Sequence, residues 1–274
     1  YVNLTNVNLS GSDLSRQDLK YTVLMQADLS YANISYSELS SSSVDLYAYL
    51  IDTDIRHTDL SSSILVGIDF TKVKDKNLDG TILTHAVITH TNLNGMDLSG
   101  KDLKLVNFSG ANLSGVDFSD NAILLGVNFL KAVLTNANFE GANLTPDVVF
   151  VDNFENAAHF ANLPRLDLVM GLFGEYYMDV ITITNTEVQG NGLLVTFILH
   201  SNFDNAKLEN ANFANSNLQH TFFVDANLSN ADLSGADLTG ANLTDADLSS
   251  ANLAGAILDG VVLNCKNHTI CENN

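Results

Sequence analysis

Large apolar residues recur at every fifth position over most of the chain, usually two residues after a small side chain and one after Asn or Asp. The clearest run, residues 226–258, reads ANLSN ADLSG ADLTG ANLTD ADLSS ANLAG AIL. This five-residue period matches neither the 3.6 residues of a helical turn nor the two-residue alternation of a simple strand. The pattern therefore predicts a chain that turns a corner once per unit and stacks coil on coil.

The five-residue phase holds over residues 1–144, apart from breaks near 45–49, 71–76 and 119–123, and it holds again over 201–264. The first and last breaks shift the phase by a single residue, whereas 71–76 is a longer insertion, TKVKDK. Its three lysines favour a solubilising loop, with a docking point as the alternative. We therefore predict two repeat regions on either side of an atypical segment.

Units such as ADLSG and ANLTD resemble the consensus of the pentapeptide-repeat family, in which a small residue, Asp or Asn, and Leu precede two small polar residues. The resemblance covers most of the chain. It implies an all-β fold, a right-handed quadrilateral β-helix with about four pentapeptides per coil. The central residue and the small residue would then point inward, and the other positions would face water.

Residues 145–200 interrupt the repeat, and two interpretations of them stay open. The favoured one is a helical or irregular stretch, with a short helix over 153–162, and then a hairpin of ITITNTEV and LLVTFIL around QGNG. The other is a set of distorted coils. In either case several apolar side chains should pack against the coils or a second subunit. They are Leu168, Met170, Phe173, Tyr176 and Tyr177.

Acidic residues dominate the charge, with 32 Asp and Glu against 12 Lys and Arg and a formal net charge of -20. We predict no nucleic-acid binding, because no basic stripe is present to displace counterions from phosphate. The apolar runs are too short for membrane insertion. Asp225 and Asp245 should lie on adjacent coils, so we predict a concentrated negative surface there. A solvated acidic face is the simpler interpretation.

The sequence predicts no catalytic, cofactor-binding or metal site, and we expect a protein that is not an enzyme and has no cofactor. The frequent Ser residues follow the repeat, and paired carboxylates on a rod have no reason to differ in pKa. His200 and His220 lie 20 residues apart, and with Asp225 they offer a weak metal site. We favour a polar ladder of the two histidines.

Cys265 and Cys271 follow the last repeat in NCKNHTICENN, within a predicted capping tail over 265–274. We favour a disulfide that holds this tail over the last coil, since the ends of a repeat protein need caps. Two free thiols, or a metal pair with His268, are the alternatives. A disulfide favours an extracytoplasmic compartment (secreted, periplasmic or lumenal) over the cytoplasm.

Two functions follow from these observations. We favour a noncatalytic structural or protein-interaction solenoid that presents acidic flat β-faces to an unknown protein partner. A homodimer through a terminal coil or through residues 145–200 is one such arrangement. The family resemblance implies the alternative, a DNA mimic that inhibits or modulates a type II topoisomerase such as gyrase.

Overall fold

The computed structural model describes residues 2–39, 50–151, 178–184 and 194–272, with side chains over 2–39, 50–146 and 200–271. The helix predicted over 153–162 lies outside the described residues. So do the predicted apolar contact residues Leu168, Met170, Phe173, Tyr176 and Tyr177.

Successive coils are joined by parallel β-bridges between outward-facing positions. Asn3 pairs with Val23, and the same 20-residue separation recurs throughout the C-terminal repeat region. On either side of this first bridge, the Leu4 N–H donates to the Val23 carbonyl and the Val23 N–H donates to the Val2 carbonyl, both at 2.8 Å. The repeat region is therefore a β-helix, and each coil donates hydrogen bonds to the next and accepts others from it.

The sequence of each unit follows from the geometry of its corner. The residue two positions after the central one adopts a positive φ, as in Asn230 at 57° and Gly235 at 66°. Asn and Gly enter this left-handed region more readily than other residues. The Asn or Asp before the central residue accepts a hydrogen bond from the backbone two residues on, as in Ser234 N to Asp232 Oδ1 at 2.9 Å. Such Asx turns explain why Asn and Asp recur.

The core is a continuous apolar interior built from the central residues and the small residues that precede them. Phenylalanine rings stack nearly face to face in two columns, with centroids 4.6 to 5.4 Å apart. Rings of one column meet those of the other edge to face. The columns are Phe108, Phe129, Phe203 and Phe223, and Phe118, Phe139 and Phe213.

The β-helix continues without a break across residues 145–200. Asn138 pairs with Asn212, and the amide of Asn212 donates to Asn138 Oδ1 at 3.1 Å across 74 residues of sequence. This separation is more than three times that of a regular coil. Phe129 also stacks on Phe203 at 4.7 Å. The coils on either side of the segment therefore pack directly on each other, and the segment is an excursion from the helix.

The described part of this excursion is an antiparallel three-stranded sheet in the order β1-β3-β2. Its strands are β1 (Asp147–Val151), β2 (Met178–Thr184) and β3 (Leu194–Leu199). The predicted strand LLVTFIL corresponds to β3, whereas the predicted strand ITITNTEV shares only residues 181–184 with β2, and the rest of it and QGNG lie outside the described residues. β2 and β3 pair with a register shift between Val180 and Thr182. The five-residue pattern does not predict β1, and the available signal was the β-branched and aromatic run VVFV between Pro146 and Asp152.

The first break in the repeat is larger than the sequence predicts. Asp28 pairs with Asp54, and Glu38 with Ile64, so both bridges join residues farther apart than the regular 20-residue separation. An insertion longer than one pentapeptide is thus accommodated, whereas the pattern predicts a shift of one. The difference arises because Val44 has the residue type and phase of a repeat centre, and type alone does not separate a repeat unit from an insertion. Val44 lies outside the described residues.

The insertion at residues 71–76 is part of the coil. It forms two 3-10 turns, Phe70–Lys72 and Lys74–Lys76, and between them Val73 is buried in the core. Asp59 accordingly bridges to Ile82, which lies beyond the regular 20-residue separation. Lys72, Lys74, Asp75 and Lys76 are exposed, as a solubilising segment requires, but the buried Val73 makes the insertion part of the coil and not a detached loop. The third break is the predicted single-residue shift, because Asp117 bridges to Asn138 instead of Ala137.

A disulfide joins Cys265 to Cys271 and confirms the predicted bond. Both cysteines pack against the end of the core together with Ile270, which lies in the 3-10 helix Thr269–Glu272. The inward residues of the last coil, such as Leu258, are only partly buried. The tail therefore covers part of the terminal apolar surface. No helix in the described part of the chain is long and apolar enough to cross a bilayer.

We expect loss of this disulfide to loosen the tail and the last coil while the distant coils stay folded. Its six-residue separation makes it a short loop, for which closure entropy amounts to about 2 kcal/mol. The paired Cys265→Ser and Cys271→Ser variant should show faster hydrogen exchange over 253–272 and unchanged exchange over 81–145. Thiol titration of the denatured wild type checks the bond itself and should find no free thiol. Uniformly faster exchange along the rod would contradict a local cap.

Candidate interaction surfaces

Asp225 and Asp245 form the predicted pair of carboxylates at the C-terminal end, and both side chains are about half exposed. They share one cation. Lys266 Nζ lies 3.1 Å from Asp245 Oδ1 and 4.0 Å from Asp225 Oδ1. Lys266 belongs to the tail beside Cys265, so the disulfide-bonded cap also supplies charge to this surface. The predicted negative concentration is thus partly offset, which the sequence pattern did not predict.

Amides and lysines separate carboxylates elsewhere on the rod as well. Asn252 Nδ2 donates to Asp232 Oδ1 at 3.0 Å across one coil. Hydrogen bonds from Ser234, followed by that from Asn252, lower the pKa of Asp232. Near the N-terminus, Lys20 Nζ lies 2.7 Å from Glu38 Oε2, and this hydrogen bond raises the pKa of the lysine. In both places the negative charge of a carboxylate is offset by a hydrogen bond or an ion pair from an adjacent coil.

Asp54 is the centre of an ion-pair cluster that the sequence pattern did not predict. Its carboxylate is buried and receives two hydrogen bonds from Arg56, at 2.9 Å from Nε and 2.5 Å from Nη2. Lys74 Nζ lies 3.6 Å away. The hydrogen bond from Arg56 is the main cause that lowers the pKa of Asp54 to about 2, and Lys74 contributes. The 20-residue separation of Asp54 and Lys74 was the available signal.

The Asp54 cluster predicts a dependence of stability on acid. The pKa of Asp54 is about 2 in the folded chain and 3.8 without these contacts. Its ion pairs therefore contribute stability above pH 3.8, and this contribution disappears as the pH falls towards 2. Asp54→Asn should lower the thermal midpoint at pH 7. The midpoint of this variant should also fall less steeply than that of the wild type between pH 3.8 and pH 2. The exposed Asp259→Asn serves as control, and an equal effect of both would contradict the assignment.

One face of the β-helix is buried where outward side chains would normally meet solvent. The outward residues Ile64, Asn107, Asn128 and Asn202 expose 8%, 4%, 0% and 0% of their surface, and Val87 and Phe222 in the same column are partly exposed. Equivalent positions in other columns, such as Asp232, are partly exposed. Asn202 follows closely after the end of β3, so the excursion rejoins the helix beside this face.

Polar groups on the buried face are incompletely paired. Among the described residues, Nδ2 of Asn128 and Nδ2 of Asn202 have no hydrogen-bond partner, although each Oδ1 accepts from a backbone N–H. His200 is buried and its Nδ1 lies 3.0 Å from the His220 carbonyl oxygen. The two imidazole rings meet edge to face at 6.3 Å.

Within the described residues, no group of three or more His, Cys, Asp or Glu side chains is placed to hold a metal.

The family model described as Pentapeptide repeats matches eight copies in the chain. The matched segments are 1–24, 8–43, 81–120, 120–145, 200–230 and 226–264. They leave out the first and second breaks and the excursion, which agrees with the places where the bridges depart from 20-residue spacing. No curated protein sequence matches the chain.

Several solved structures are similar at low sequence identity. HetL, a pentapeptide repeat protein involved in heterocyst differentiation regulation from Nostoc sp. strain PCC 7120, is 23% identical, with 96% of this chain and 87% of HetL covered and a TM-score of 0.25. Full-length QnrB1, a plasmid-mediated fluoroquinolone resistance protein, is 18% identical, with coverages of 97% and 92% and a TM-score of 0.26. Rfr23 from Cyanothece 51142 is 18% identical, with coverages of 77% and 91% and a TM-score of 0.18. Because the family model matches more than half of the chain, the protein belongs to the pentapeptide-repeat family.

Proposed function

We propose that the protein is a noncatalytic interaction scaffold that binds a protein partner through its acidic β-faces and its excursion. The observation that carries this proposal is the direct stacking of coils across residues 145–200. A rigid rod that continues beneath an appended sheet can hold the sheet in a fixed position relative to the charged faces. Such a surface suits a partner that contacts both elements.

We infer further that the β-helix is right-handed and quadrilateral, with four pentapeptides in each coil. The 20-residue separation of the bridges supports this geometry when combined with the five-residue spacing of the corners. At the strand spacing of about 4.8 Å per coil, each flat side is a narrow parallel sheet. Its outward Asn, Asp, Ser and Thr side chains would form the surface that a partner meets.

The noncatalytic assignment is supported by the hydrogen bonds that the repeated polar residues already make in the corners. Ser249 Oγ, for example, donates to Asp247 Oδ1 at 2.5 Å while the Ser249 N–H donates to the same oxygen. Hydrogen bonds of this kind lower the pKa of Asp247, and the largest contribution comes from Ser249. Carboxylates held in the ionised state are poorly suited to general acid–base chemistry at neutral pH.

The partner proposal is tested by comparing capture by the wild type with capture by a double variant, Asp225→Asn with Asp245→Asn. Captured proteins are then purified and titrated singly against both forms by calorimetry at low and high salt. We expect the affinity of the wild type for its partner to fall as the salt concentration rises. We also expect the double variant to bind the partner at least tenfold more weakly than the wild type. Equal affinity of both forms for every purified candidate would overturn the role of this acidic surface.

The formal charge of -20 favours a second candidate, a DNA mimic that modulates a type II topoisomerase such as gyrase. Asn and Lys partners along the carboxylate columns favour the first candidate. A gyrase supercoiling assay separates the two. Salt-sensitive inhibition at micromolar protein would support the mimic, and unchanged supercoiling would overturn it.

We also propose an extracytoplasmic location, supported by the disulfide, and self-association through a terminal coil as one mode of interaction. Partly buried Leu253, Leu258 and Leu263 at the C-terminal end support the second proposal. Sedimentation velocity over a range of protein concentrations tests it. A concentration-independent monomer would overturn it.

A further inference from the structure

Side chains at the corners lean towards the following coil. A Cβ atom added to Gly80 would collide with the imidazole of His57, and one added to Gly240 would collide with that of His220. In each case the colliding ring belongs to the preceding coil. Glycine at such a position therefore leaves room for a side chain that approaches from the N-terminal side.

Arg16 and Tyr36 show what happens when two side chains occupy successive corners. The guanidinium carbon of Arg16 lies 5.4 Å from the centroid of the Tyr36 ring. This distance is within the range of cation–π interactions. Arg16 thus covers the face of Tyr36 that points towards the N-terminus.

Tyr31 occupies the preceding corner of the same coil and has no such cover. Its ring stacks on His57 at 4.5 Å with an interplanar angle of 11°, and the residue is 66% exposed. The place that Arg16 takes above Tyr36 is taken above Tyr31 by Gly11. A Cβ atom added to Gly11 meets nothing within 4 Å. Within the described part of the chain, the N-terminal face of this ring is therefore open.

Two acidic residues lie near this corner in the chain. Asp28 lies shortly before Tyr31 on the same coil and bridges to Asn8, and Asp13 lies shortly after Gly11 on the adjacent coil. A cation that stacks on Tyr31 would be attracted by the field of a protein with a formal charge of -20.

We propose that the corner formed by Gly11 and Tyr31 binds an arginine side chain of a partner protein, in the manner that Arg16 covers Tyr36. The proposal rests on the interaction function proposed above and names the chemistry of one contact. Arginine fits better than lysine, because its planar guanidinium stacks on an aromatic face and also donates to carboxylates at its edge.

The test uses the full chain labelled with fluorotyrosine and two probe peptides, tetra-arginine and tetra-lysine. We expect the fluorine resonance of Tyr31, assigned with Tyr31→Phe, to shift on titration, with tetra-arginine binding at least threefold more tightly. Tyr31→Ala should weaken tetra-arginine binding at least tenfold, whereas Tyr36→Ala should leave it unchanged. Equal binding of the two peptides, or full binding to Tyr31→Ala, would overturn the proposal.

Two matched variants exchange the two corners. Gly11→Arg should fill the site from within the chain and abolish the Tyr31 shift, and Arg is tolerated there because Arg16 has a similar φ of 60° against 67° for Gly11. Arg16→Gly should open a second site at Tyr36 and double the peptide stoichiometry. An unchanged stoichiometry would contradict the analogy between the corners.

The partner-capture experiment uses Asp225 and Asp245, which lie on coils far from Gly11 and Tyr31 in the chain. A partner that is lost from the Asp225→Asn and Asp245→Asn variant but binds Tyr31→Ala normally would overturn the arginine site and leave the scaffold function intact. Specific binding of arginine peptides without capture of any protein partner would support the arginine site and overturn the scaffold function.

Discussion

Phe213→Asp should unfold the β-helix locally and give the largest loss of stability of any single substitution considered. Phe213 is fully buried, stacks on Phe139 at 4.6 Å and meets Phe203 and Phe223 edge to face. Loss of a buried Phe costs about 3–5 kcal/mol, and an unpaired buried carboxylate adds to that loss. We therefore expect a fall in the free energy of unfolding above this range, measured by urea denaturation followed by circular dichroism.

Hydrogen exchange should locate the damage. Because each coil contacts only its neighbours, amides over 200–230 should lose protection first, while those over 81–105 should retain it. Loss of protection along the entire rod would mean that the helix unfolds as one cooperative unit. Unchanged stability would show that Phe213 does not point inward.

The matched control for Phe213→Asp is a carboxylate placed outward. Asn242 lies between Phe222 and Val262 in its column, so Asn242→Asp brings no like charge close and should cost less than about 0.5 kcal/mol. Asn227 looks equivalent in the sequence but is a poorer choice. It donates to Glu209 Oε1 at 2.8 Å and bridges to Asp247, so Asn227→Asp would face two carboxylates. We expect it to cost about 1 kcal/mol more than Asn242→Asp.

The repeat pattern predicts the part of the fold that depends on local chemistry. It places residues such as Phe203 and Leu228 in the core and Asp232 at an outward position, because corner geometry repeats every five residues. It does not predict the length of the insertion before Asp54 or the burial of Val73. An insertion can reuse apolar residues in the repeat phase, so residue type alone does not show where the coil leaves its regular path.

Candidate sites were predictable where they depend on sequence separation alone. The Cys265–Cys271 disulfide and the proximity of Asp225 to Asp245 are examples. Contacts made by residues outside the repeat could not be predicted in this way. Lys266 reaches the aspartates because the tail folds back over the last coil, and Asn128 is buried although its position in the unit faces outward. The Lys266 contact arises from tertiary packing of the tail on the repeat, and the burial of Asn128 departs from the outward exposure that its position in the unit predicts.

Deletion of residues 146–199 should leave a folded β-helix. The deletion removes the stretch by which the 74-residue separation of Asn138 and Asn212 exceeds one regular coil, and it places Phe203 five positions after Leu144. The contacts that join these coils already exist, since the Leu144 N–H donates to the Asn217 carbonyl at 2.9 Å and Phe129 stacks on Phe203. We expect retention of the β-helix circular dichroism spectrum and of protection from proteases over 81–145 and 201–264.

The decisive comparison is with a deletion that is one residue longer, 146–200. It leaves the joining coil one residue short, so we expect Phe203 to leave its inward position and a polar neighbour to enter the core. The cost is at least that of removing one stacked ring, about 3–5 kcal/mol, and it should appear as a lower midpoint in thermal unfolding. If both deletions were equally stable, the joining coil would have absorbed the missing residue, as the coil at 119–123 absorbs an extra one, and the expected dependence on phase would be wrong. A clear difference would instead show that the coils before and after the excursion must keep the same five-residue phase in order to stack. The length and sequence of the inserted sheet could then change without disturbing the β-helix, provided that this phase is kept.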